Sequence, residues 1–221
     1  LHKRNDCLED TSNFVYLKML KAKSLVSIFD RCIDDYHKLN DVNQAIVNPF
    51  EKKSFEGILY RKCWIDTVQW HYEDIIRDDE IKPKDALDLK RKIDQSNQKR
   101  TNLVEVIDDY FMNEFKEVNP QKNATMNTES IAWAIDRLSI LALKIYHMEE
   151  ESSRISATRN HRTKCLEKLS ILNDQKSDLC LAIDQLIKDI VDGKKVMKVY
   201  RQMKMYNDED LNPILYKKNK D

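Results

Sequence analysis

Apolar residues recur along most of this chain at spacings of three and four, the period of an amphipathic helix. Leu17, Leu20, Leu25, Ile28, Phe29, Cys32 and Tyr36 trace one such face and predict a first helix over about residues 14–39. Asn48-Pro49 opposes helix, because the residue before a proline is pushed toward extended backbone. A second helix is expected over about 52–77, ended by the acidic turn Asp78-Asp79-Glu80. Pro83 suits the first turn of a third, and Asp85 complements the positive end of its dipole. That helix runs to about Lys116 and stops before Asn119-Pro120. A fourth, about 130–151, takes its cap from Asn127 or Thr128. Its segment IAWAIDRLSILALKIYHM is apolar around most of its circumference, as suits the central helix of a bundle. A fifth covers about 157–192, with Gly193 as its C′ residue. From Lys194 onward the pattern fits either a helix to Tyr206 or extended backbone, with LNPILY extended and docked on the bundle.

Composition narrows the fold. Only two glycines and four prolines occur in 221 residues. Sheet proteins and phosphate-cradling loops depend on glycine at their tight turns. The shortage excludes most all-β folds, the dinucleotide fingerprint and the P-loop. What remains is an all-α, single-domain bundle of about five long helices with an irregular C-terminal tail. The first methionine is Met19. Residues 19–216 read as the bundle and 217–221 as a disordered tail. Phe14 and Leu17 keep the helical period, which by itself makes 1–18 an extra first turn of helix.

Lys+Arg and Asp+Glu are 38 each, so the formal charge is zero. A nucleic-acid partner would call for a basic surplus, and none is expected. No run of about 18 apolar residues occurs, so no membrane partner is expected either. The cysteines Cys7, Cys32, Cys63, Cys165 and Cys180 are odd in number and scattered, which fits a reducing cytoplasm better than a disulfide framework.

The candidate chemistry lies in polar residues on inward faces. On the second helix Lys62, Asp66, Gln69, Glu73 and Arg77 form one stripe, flanked by Ile58, Ile65 and Ile76 and by Leu59, Cys63 and Trp70. The solvated arc of that helix is expected around Thr67, His71 and Asp74. Asn97 and Arg100 interrupt the core stripe of the third helix, Asp136 and His147 that of the fourth, and His161 opens that of the fifth. Burying an ion costs several kcal/mol unless it is paired. One reading is an interior pocket for a polar or anionic small molecule, lined by Asp66, Gln69, Glu73, Asn97, Arg100, Asp136, His147 and His161. Arg77 and Arg100 would orient an anionic group, and Asp66 or Glu73 would serve as acid/base. The other reading is a helical interaction or scaffold protein, a homodimer among its forms. Its polar core would be a structural network and Met197, Met203 and Met205 a docking surface. Whether the chain is an enzyme stays open.

Other chemistries carry weaker signals. His71-x-x-Asp74 and His147-x-x-Glu150 have ligand spacing, but di-iron bundles use Glu-x-x-His, and His71 falls on the expected solvated arc. His161-x-x-x-Cys165 is also spaced for ligation, yet a buried cysteine beside a core histidine is usually inert. No metal site is expected, and no cofactor can be named. Glu105-x-x-Asp108 resembles the magnesium carboxylates of all-α nucleotide pyrophosphohydrolases, but points away from Ile93, Val104 and Phe111. No GxSxG or electropositive cysteine marks a nucleophile. Trp64, Trp70 and Trp133 read as core.

The stretches KCWIDTVQWHYEDIIRD, LKRKIDQSNQKRTNLVEVID, ATMNTESIAWAIDRLSILALKIYHMEE and MKVYRQMKMYNDEDLNPILY resemble the bacterial "domain of unknown function 4254" family. The likeness spans about residues 25–216. It implies a cytoplasmic protein of the kind found mainly in Bacteroidetes-type genomes, with chains that begin shortly before the first helix, so that with Met19 as the first methionine residues 1–18 are expected to be an N-terminal extension. It carries over no activity, ligand or catalytic residue.

Overall fold

The computed structural model describes residues 21–203 and 210–211. Within them five helices follow one another: α1 (Ala22–His37), α2 (Phe55–Ile75), α3 (Pro83–Glu114), α4 (Ile131–Ser153) and α5 (Arg159–Val191). The expected all-α bundle is the observed fold, and the one bridge among the described residues, Thr125 with Lys195, is isolated. No described helix is long and apolar enough to cross a membrane. The expectations for residues 1–18, Met205 and most of LNPILY fall outside the described residues.

Short polar side chains start three of the five helices. Ser54, Ser130 and Thr158 accept hydrogen bonds from the amides of Gly57, Trp133 and His161 at 3.0, 3.3 and 3.2 Å. Each satisfies one of the orphan N–H groups of a first turn. The cap of α4 is thus Ser130 rather than Asn127 or Thr128; Asn127 instead donates its amide to the Glu129 carbonyl at 2.9 Å. At the start of α1 the Ala22 amide donates to Asp184 of α5 at 2.9 Å, a cap supplied across the bundle. Gly193 ends α5 at φ 69°, a conformation that favours glycine. The chain beyond it is extended and pairs with the loop between α3 and α4, through Thr125 to Lys194 at 2.9 Å and Val196 to Thr125 at 3.0 Å. That pairing decides against a continued helix there.

α4 packs against all four other helices, as its apolar circumference predicts. The core around it includes Phe29, Tyr60, Ile107, Phe111, Ile135 and Leu138. Two expectations about helix faces need correction. Thr67 is fully buried and His71 half-buried, because α1 covers the side of α2 read as solvated. Asp108 is only 2% exposed rather than solvent-facing, because the start of α4 lies over it, and burial raises its pKa against the opposing pull of Ser130 and the Ala132 amide. Of the tail methionines, Met197 packs partly against the core while Met203 is 89% exposed.

Candidate functional site

The inward polar stripe of α2 builds two layers. In the inner layer Lys62 has no exposed side-chain surface, and its ammonium nitrogen lies 2.6 Å from Asp66 Oδ2 and 2.7 Å from Asp136 Oδ1. It also donates to the Asp136 carbonyl at 3.2 Å, and Ser139 donates to Asp66 Oδ2 at 2.7 Å. Burial opposes charge on Lys62, but Asp66 and Asp136 outweigh it and hold the group above the ordinary lysine range. Two carboxylates share that single ammonium. Burial, with Asp136 adding to it against the pull of Lys62, raises the pKa of Asp66.

The outer layer is a cleft of about 370 Å³ between α2, α3 and α4. Asp66, Gln69, Glu73, Arg77 and Arg100 all line it, with Trp70, Asp74, Ile140 and Leu143. Two buried acceptors on its wall, Asp66 Oδ1 and Gln69 Oε1, have no hydrogen-bond partner among the described residues. Such acceptors are costly to leave unmade. Arg100 is held loosely, 3.8 Å from Asp136 Oδ2, and its side chain is 25% exposed. Arg77 lies toward solvent, bonded to the Glu73 carbonyl and 3.7 Å from Glu73 Oε2.

Five of the sequence-predicted residues therefore meet in one cleft. Asp136 stands behind it, paired with Lys62 and Arg100. Asn97 is half-buried on α3 and is not among the cleft residues. His161 is drawn away altogether: it is exposed near the start of α5, with Nε2 2.9 Å from Glu151 Oε2 and 3.4 Å from Cys165 Sγ. The stripe itself turns inward one turn later, at the buried Cys165.

His147 belongs to a different constellation. Among the described residues one group of His, Cys, Asp and Glu side chains gathers closely enough to share a cation: His37, His71 and His147. His37 ends α1, His71 lies late in α2 and His147 late in α4. The sequence reading missed His37 altogether. A signal was present: of five histidines, these three each follow an aromatic residue, as Tyr36-His37, Trp70-His71 and Tyr146-His147.

No curated protein and no solved structure matches the chain. A family model described as "Protein of unknown function (DUF4254)" matches residues 56–199, which hold α2 but for its first residue, α3 to α5 and every residue of the cleft. The chain belongs to the DUF4254 family.

Proposed function

We propose that this protein binds a small polar molecule in the cleft between α2, α3 and α4. The observation that carries the reading is the meeting of five polar residues around two buried acceptors without partners. A ligand that donates hydroxyl or amino hydrogens to Asp66 and Gln69 relieves those acceptors, and its anionic group pairs with Arg100 and Arg77. The volume falls at the small end of ligand sites, the range of a hydroxylated or aminated acid or a sugar phosphate. Asp66 and Glu73 are the carboxyls this reading puts forward for proton transfer. Both glycines are engaged elsewhere, so the anion is held by guanidinium groups rather than by a backbone nest.

The test is a thermal-shift screen with amino acids, hydroxy acids, polyols and sugar phosphates, followed by titration calorimetry on any compound that raises the melting temperature. Arg100→Met and Gln69→Leu are expected to abolish the shift. A shift left unchanged in both variants places the ligand elsewhere. If no member of the panel binds, the reading as a structural network takes its place.

A further inference from the structure

We propose that His37, His71 and His147 form a site for a divalent transition-metal ion of the zinc class. One ring nitrogen from each of the three lies within 4.8 Å of the others, and His37 Nε2 is 3.2 Å from His71 Nε2. A tetrahedral zinc with bonds of about 2.0–2.1 Å separates its ligand nitrogens by about 3.3 Å. One edge of the tetrahedron is thus already formed, and the wider ones shorten by at most about 1.5 Å when an ion binds.

The outward hydrogen bonds set the tautomers. His37 Nδ1 is 2.7 Å from the Ile33 carbonyl, which only accepts, so Nδ1 carries the proton and Nε2 the lone pair. His147 Nδ1 is 2.9 Å from Glu150 Oε2, which leaves its Nε2 as the lone-pair atom in the same way. That Nε2 is buried and has no hydrogen-bond partner among the described residues. A carbonyl behind one imidazole and a carboxylate behind another is the outer arrangement that orients histidine ligands. His71 Nε2–H donates to His37 when no ion is bound and moves its proton to Nδ1 when one is.

The imidazoles are held by stacking in a closed cycle. Tyr36 of α1 stacks on His71 of α2, Trp70 of α2 on His147 of α4, and Tyr146 of α4 on His37 of α1. The centroid separations are 5.1, 4.8 and 4.2 Å, with interplanar angles of 12°, 14° and 25°. Each aromatic neighbour in sequence thus pins the histidine of the next helix, which lowers the conformational cost of binding.

The donor set chooses the ion. Three neutral imidazole nitrogens suit zinc, cobalt, nickel and copper rather than magnesium or calcium, which take oxygen. Three protein ligands leave at least one position for an outside ligand. Asp34, Asp74 and Glu150 act electrostatically on His37 or His71 and offset the charge of the ion.

The test uses the full chain after treatment with a chelator. Zinc is titrated against a chromophoric competitor, and melting is followed with zinc and with magnesium. The expected result is one zinc per chain, a melting temperature raised by about 5 °C or more at saturation, and no response to magnesium. His71→Phe and His147→Phe should each weaken zinc binding at least 100-fold, while Cys165→Ser leaves it unchanged. If the histidine variants do not fold, Glu150→Gln decides the matter, because Glu150 is exposed. Its affinity should fall about 10- to 100-fold, and an unchanged affinity overturns the proposal. Failure of the wild-type chain to bind zinc, or equal binding by folded His71→Phe and His147→Phe, overturns it too. None of the substituted residues lines the cleft, so the two readings fail separately.

Discussion

Lys62 Nζ lies 2.6 Å from Asp66 Oδ2, and neither side chain is more than 2% exposed. A buried ion pair costs desolvation on both sides, and breaking it leaves a charge with no partner. Lys62→Met is expected to cost about 3–5 kcal/mol, read from urea denaturation. Lys62→Met/Asp66→Asn should recover part of that loss, since one fewer charge is stranded. A single variant as stable as the wild type would refute the pairing.

Arg100 and Glu73 separate binding from stability. Arg100 is loosely paired, so Arg100→Met should change stability by less than about 1 kcal/mol. For any ligand found in the cleft, the same change should cost about 10- to 100-fold in affinity, the worth of a hydrogen bond to a charged group. Glu73→Gln should likewise weaken binding while the melting temperature holds. Calorimetry beside thermal melting checks both; equal losses in the two measurements would make these residues structural.

Gly57 is buried in the first turn of α2, and a Cβ built on it would stand 2.0 Å from the Glu51 carbonyl oxygen. That neighbour is backbone, so it yields only if the chain entering α2 shifts. Gly57→Ala gains about 1 kcal/mol of helix propensity but should lose about 1–3 kcal/mol to overpacking. The expected outcome is a net fall in melting temperature, and a stabilised variant would contradict the geometry.

Acid should weaken the fold when chelator is present. Burial holds His71 down to about 4, with His147 and His37 pushing the same way. The unfolded histidine takes up its proton near 6.5, so between about 6.5 and 4 the unfolded chain binds the extra proton. Stability therefore falls as pH drops through that window, and His37, also lowered by burial, acts in the same sense. Asp66 and Asp108, raised by burial, act the other way: their contribution is full below about 3.9 and fades as pH rises through their higher native values. The urea midpoint of the wild type should fall between pH 7 and pH 5, and fall less in His71→Phe. Equal falls would refute the assignment to His71.

The periodicity of apolar residues and the scarcity of glycine determined the helices, their order and the central place of α4, because those depend on local backbone preference and on how much of a helix must be buried. The polar stripe of α2 was legible for the same reason: a wheel places Asp66, Gln69, Glu73 and Arg77 together whatever surrounds them. Only the tertiary structure decided what covers each face. A wheel cannot say that α1 closes over Thr67 and His71, that the start of α4 buries Asp108, or that His161 stands exposed beside Glu151. It also could not join Tyr36-His37, Trp70-His71 and Tyr146-His147, since the stacking that unites them runs between helices and leaves no trace in the period of any one of them.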